Sequence, residues 1–128
     1  MSEFNRIDIS AMVLSGLCLV HCLALPLLVV LIPVGALYGL EDEHFHWVML
    51  LLALPLSLAS LSHGFLRHQR RFVPVIGGVG LALMAWDLLP TVEAHSHGHG
   101  LTIPGVFLVA VAHGLNIRAL RRVAHDEG

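Results

Sequence analysis

The stretch Ile9-Ser-Ala-Met-Val-Leu-Ser-Gly-Leu-Cys18-Leu-Val-His21-Cys22-Leu-Ala-Leu-Pro26-Leu-Leu-Val-Val-Leu-Ile-Pro33-Val-Gly-Ala-Leu-Tyr-Gly-Leu40 contains no Asp, Glu, Lys or Arg. A hydrocarbon core about 30 Å thick takes about 20 helical residues to cross, so this run is long enough to span a bilayer. At about 1.5 Å per residue it would be about 48 Å long as a straight helix. Its end, near Pro33 to Leu40, must therefore break, tilt or lie at the interface, and a bend is expected near Pro26. Within the run, Cys18, His21 and Cys22 are soft metal-ligand groups. Cysteines in a soluble helix are usually inert packing, but a histidine flanked by two thiols at bilayer depth points to a functional site.

The rest of the chain follows the same pattern. Of 128 residues, 56% are hydrophobic and 12% charged, with a mean hydropathy of +0.80. Globular domains carry about twice that charged fraction. Segments at about 9–37, 45–66, 72–89 and 101–117 are apolar enough to cross a membrane, which predicts an all-α, polytopic membrane protein. The expected architecture is one domain over 1–128, a bundle of four transmembrane helices. A cleaved signal peptide has an apolar stretch of about 7 to 15 residues; the first run is far longer, so it is expected to remain in the mature protein.

Charge supplies orientation and excludes one partner. The chain has no lysine, and its arginines fall at Arg6, at Arg67, Arg70 and Arg71, and at Arg118, Arg121 and Arg122. The positive-inside rule then predicts an N-in/C-in topology. A net charge of −2 without a dense basic stretch argues against nucleic acid as a partner.

The two loops expected to face outward read Glu41-Asp42-Glu43-His44-Phe45-His46 and Glu93-Ala94-His95-Ser96-His97-Gly98-His99. Borderline divalent cations favour imidazole with carboxylate support. His44, His46, His95, His97 and His99 are therefore candidates for metal capture; the ordinary alternative is a pair of solvated loops with incidental histidines. Asp87 reads either as a relay carboxylate in the same path or, beside Trp86, as an interfacial residue marking the membrane boundary.

Inside the membrane, a helix advances about 100° per residue. Cys18 and Cys22 then lie about 40° apart on one stripe, with His21 flanking Cys18 on one side and Ser15 flanking Cys22 on the other. Two sulfurs can approach one ion there, whereas a disulfide suits the helical Cβ directions poorly. His63 precedes Arg67 by four residues and His113 precedes Arg118 by five, which sets both imidazoles at similar depth. Cys18, His21, Cys22, His63 and His113 are expected to converge on one centre suited to Zn²⁺, Cu⁺ or Hg²⁺. For His63 and His113 the alternative is an imidazole bonded to a helix carbonyl. His63-Gly64 and His113-Gly114, each followed by arginines, suggest a weak internal repeat of two helical hairpins. Gly35, Gly39, Gly77, Gly78 and Gly80 permit close helix approach, including a possible homodimer.

No phosphate-cradling glycine loop, nucleophile elbow or zinc-hydrolase signature occurs, so an enzyme is not expected and no cofactor is required. Three function classes stay open. The first is a metal-ion carrier with the bound ion as cargo. The second is a haem-binding membrane protein with His63 and His113 as axial ligands. The third is a metal-binding sensor or accessory subunit without transport.

Ser15-Gly16-Leu17-Cys18-Leu19-Val20-His21-Cys22, the following Leu25-Pro26, His63-Gly64 and Gly77-Gly78-Val79-Gly80-Leu81 resemble the MerC family of small four-helix membrane proteins. The likeness covers about Asp8 to Arg122. It implies mercury resistance through uptake of mercuric ion across the bacterial inner membrane, with the first-helix cysteines passing Hg²⁺ between thiols. Cys18 and Cys22 occupy that place. Mercury carriers of this family tend to have a tighter first-helix pair and a further cytoplasmic pair, whereas this chain has three residues between its cysteines and no third thiol.

Overall fold

Residues 3–31, 43–87, 89 and 100–128 are described by the structure, a computed structural model. Among them are four helices and no strands: α1 (Glu3–Leu31), α2 (Glu43–His68), α3 (Phe72–Asp87) and α4 (Thr102–Asp126). By length and composition α1, α2 and α4 are apolar enough to cross a membrane, and α3 is a shorter apolar helix. The all-α membrane bundle read from composition is the fold observed.

Burial is arranged inside out relative to a soluble bundle. Val13, Leu17 and Val20 of α1 and Leu51, Leu58 and Leu66 of α2 are exposed, as are Ile103 and Phe107 of α4. These side chains form a face suited to lipid. The inward positions of α1 are Asp8, Ala11, Ser15, Cys18 and Cys22, spaced alternately by three and four residues. That is the seam along which helices pack at shallow angles, and in membranes it favours small and polar residues. α2 continues the pattern with Leu50, Ala53, Ser57, Ser60 and Leu61.

α4 packs against all three other helices, α2 also contacts α1 and α3, and among the described residues α1 and α3 occupy opposite corners without close backbone contact. The tightest approach joins α3 to α4. A Cβ added at Gly80 would stand 2.7 Å from the carbonyl oxygen of Gly105, and one at Gly105 would stand 2.8 Å from that of Gly80. Two facing glycines let these backbones touch.

Two helix boundaries depart from the sequence reading. α1 begins at Glu3, six residues ahead of Ile9 where the uncharged apolar run starts, and α4 continues to Asp126, well beyond Ile117. The hydropathy pattern locates where a helix leaves lipid, not where its hydrogen bonding stops. Ala119 and Leu120 remain buried while Arg118, Arg121 and Arg122 are exposed, so an amphipathic segment carries α4 onward.

Polar contacts close both ends. Asp8 accepts a hydrogen bond from Arg67 Nε and a second, at 2.6 Å, from its terminal nitrogen, while Arg67 also donates to Glu127 at 3.0 Å. The start of α1 and the ends of α2 and α4 therefore meet at one end of the bundle. At the other end Asp87, buried at the close of α3, accepts from the backbone N–H of Thr102 at 3.0 Å and from its hydroxyl at 2.6 Å. A carboxylate from the neighbouring helix satisfies the first turn of α4, where no residue of α4's own N-cap does so.

Candidate metal passage in the bundle core

The seam positions of α1 deliver Ser15 and Cys18, fully buried, and Cys22, nearly so, to the middle of the bundle. Both cysteines are free thiols and pack in one cluster with Leu81 of α3 and Val109 of α4. Facing them are Ser57 and Ser60 from α2 and His113 and Asn116 from α4, all fully buried. Unpaired polar groups in such surroundings are costly, and these form a continuous network.

Ser57 Oγ lies 3.2 Å from Cys18 Sγ and 3.2 Å from His113 Nε2. On the opposite edge of the imidazole, His113 Nδ1 is 3.0 Å from Ser15 Oγ and 3.5 Å from Ser60 Oγ. Asn116 Nδ2 donates to Ser15 Oγ at 3.1 Å and to the Ser60 carbonyl at 3.3 Å, and Asn116 Oδ1 is 2.8 Å from His68 Nε2. His68 Nδ1 accepts from the Arg70 backbone N–H at 3.0 Å. An unbroken polar seam thus runs from the Cys18 sulfur to the turn that follows α2.

Gly64 makes room for this seam. A Cβ at position 64 would overlap the Asn116 amide, so the small residue on α2 is what lets Asn116 reach between Ser15 and His68. Gly114, its counterpart in the apparent repeat, faces open space. The histidines of the two His-Gly pairs differ in the opposite sense, since His113 is buried and His63 exposed.

The residues singled out from sequence fall into distinct places. Cys18 and Cys22 share the core, and His113 joins Cys18 through Ser57. His21 is half-buried on the edge of the same helical stripe, and its Nδ1 is buried with no hydrogen-bond partner. His63 is exposed, with its Nδ1 3.1 Å from the carbonyl of Ala59 on its own helix. It borders a surface cleft with Arg6, Ser10 and Leu14 rather than the thiols, so His63 and His113 stand in different surroundings. Asp87 is engaged by Thr102. The side chains of His44 and His46, and all of His95, His97 and His99, lie outside the described residues. Among the described residues no three His, Cys, Asp or Glu side chains stand close enough to hold one ion together. The core donor set is two sulfurs embedded in hydroxyl and imidazole groups.

Ser15 is legible in the sequence as part of the cysteine stripe, whereas Ser57, Ser60, His68 and Asn116 are not. A faint signal was present, because α2 spaces Ser57 and Ser60 three apart on the face that also carries Ala53 and Gly64. A serine in an apolar helix is nevertheless ordinary until its partner on another helix is known.

A bundle with a lipid-facing apolar exterior and a polar core holding paired free thiols defines the class as a multi-pass membrane protein with a thiol-lined interior. The family model described as MerC mercury resistance protein matches residues 8–118, and the chain belongs to that family. It is accordingly a membrane mercury-resistance and transport protein in class. No curated protein and no solved structure matches the chain.

Proposed function

We propose that this protein carries mercuric ion across the bacterial inner membrane, inward, by thiol exchange on Cys18 and Cys22. The observation that carries the reading is the position of both cysteines, free and buried on one face of α1 in the core of the bundle. Thiolates are soft donors that select soft cations. Two sulfurs suit Hg²⁺ or Cu⁺ better than Zn²⁺, whose closed sites take four ligands.

An ion entering such a core must lose its hydration, and sulfur ligands replace the lost water. On entry a mercury–oxygen bond to water gives way to a mercury–sulfur bond at each cysteine, each thiol passing its proton to the departing water, so the bis-thiolate complex is neutral in lipid. Release needs two incoming thiols from the far side, whose protons return to Cys18 and Cys22. The acid- and imidazole-rich segments around His44, His46, His95, His97 and His99 would concentrate cations ahead of the pair.

The test is metal flux into proteoliposomes containing the purified protein, with Hg²⁺ and Zn²⁺ compared. Thiol-dependent Hg²⁺ entry that disappears in Cys18→Ser/Cys22→Ser is the expected result. Undiminished flux in the double variant would remove the cysteines from the mechanism. Stoichiometric binding without flux of either ion would make the protein a sensor or accessory subunit.

A further inference from the structure

The polar seam has a direction, and the direction is set at its far end. A backbone N–H only donates and a backbone carbonyl only accepts. Because the Arg70 N–H points at His68 Nδ1, that nitrogen is the acceptor and the proton of the neutral ring sits on Nε2. His68 Nε2 therefore donates to Asn116 Oδ1. The Ser60 carbonyl independently requires the amide nitrogen of Asn116 on its other side. Two fixed backbone groups thus determine the orientation of one buried amide.

From Asn116 the order propagates. Its Nδ2 donates to Ser15 Oγ, which leaves the Ser15 proton for another acceptor. His113 Nδ1, at 3.0 Å, is nearer than the His113 carbonyl at 3.5 Å, a distance at which hydroxyl hydrogen bonds are weak. With Nδ1 accepting, the neutral His113 ring carries its proton on Nε2 and donates to Ser57 Oγ. The Ser57 hydroxyl is then turned onto Cys18 Sγ.

We infer that His68, Asn116 and His113 are positioning residues that aim the Ser57 hydroxyl at Cys18, so that Cys18 is the sulfur that bonds the incoming ion first. Cys22 closes the pair afterwards, each new mercury–sulfur bond displacing one ligand that brought the ion, which leaves with the thiol proton. The inference rests on the carrier reading for its consequence, but the hydrogen-bond order it describes exists without metal. A donor aimed at sulfur stabilises the electron-rich form that attacks a soft cation. The seam reaches the chain turn after α2, so a change at His68 is expected to be felt at Cys18, several side chains away.

The experiment uses the full-length protein in bicelles. Ring ¹⁵N shifts of His113 are expected to report a single neutral tautomer protonated at Nε2. In a Cys22→Ser background, alkylation of Cys18 by iodoacetamide is expected to slow by about tenfold with His68→Leu, the order of one charge-assisted hydrogen bond. His68→Gln, whose amide can donate to Asn116 Oδ1 again, is expected to restore the rate. His68 is only part-buried at the helix end, so both variants are expected to keep the fold even though His68→Leu leaves Asn116 Oδ1 without its partner, and unchanged helicity confirms it. A His113 proton on Nδ1, or equal Cys18 rates in His68→Leu and His68→Gln, overturns the inference. Mercury binding by the protein with both cysteines present, read from the ultraviolet sulfur-to-mercury band, separates the two claims. Absence of that band with the tautomer and rates as expected overturns the carrier reading and leaves the hydrogen-bond order standing.

Discussion

At the residue scale the decisive group is Ser57, one hydroxyl shared by Cys18 and His113. Replacing it with alanine leaves the imidazole Nε2 without a partner in a fully buried position. Loss of a buried hydrogen bond costs about 1 to 3 kcal/mol when one partner remains unsatisfied, so Ser57→Ala is expected to lower the thermal midpoint in detergent measured by circular dichroism. Ser62→Ala, on the exposed face of the same helix, is expected to leave it unchanged. Cys18 was legible in the sequence because a thiol pair in an apolar run is chemically conspicuous. Ser57 was not, since nothing in its local sequence distinguishes a serine that meets another helix from one that bonds its own.

At the element scale, the connection between α2 and α3 turns through Gln69, whose φ of 54° lies in the left-handed region. Its backbone N–H bonds the Phe65 carbonyl at 2.8 Å, closing the end of α2. A side chain is disfavoured in this conformation, whereas glycine adopts it freely. Gln69→Gly is expected to stabilise the protein by up to about 1 kcal/mol, less whatever the Gln69 side chain gains from its bond to the Leu66 carbonyl. A rise in the thermal midpoint would show it. Gly80 predicts the opposite sign. Valine there would drive into Gly105 and Val109, forcing α3 from α4, and overpacking of this type costs about 1 to 3 kcal/mol. Reduced resistance to thermal unfolding with Gly80→Val, but no loss and up to about 1 kcal/mol of gain with Gly78→Ala in open space, is the expected pattern. The existence of these four helices follows from hydropathy alone, whereas the end of α4 depends on packing of Ala119 and Leu120 that no hydropathy window records.

At the scale of the whole molecule, the bundle is tied at one end by Asp8, Arg67 and Glu127 and at the other by Asp87 and Thr102. Asp8 is almost wholly buried, so its carboxylate depends on the guanidinium for compensation. A double-mutant cycle with Asp8→Asn and Arg67→Gln is expected to return a coupling of roughly 2 kcal/mol, the range of hydrogen bonds between charged partners. Additive losses would show that the pair merely coexists. The tie also explains how a core with few large apolar side chains keeps its register, because lipid provides no hydrophobic force to press one helix on another.

By itself, the sequence determined that this protein lives in a membrane, that it is helical, and that a thiol pair lies within its first span. Those properties depend on composition and on spacing along one helix, where the covalent chain dictates which residues share a face. Only the tertiary structure decided which of the histidines is joined, through Ser57, to Cys18. His63 and His113 carry the same His-Gly signature, yet the first turns to its own helix and the second enters the core. The difference arises from how α2 and α4 rotate about their axes when Gly64 admits Asn116 and Gly80 meets Gly105. Helix rotation is settled by contacts between distant residues, and each helix carries only half of every such contact.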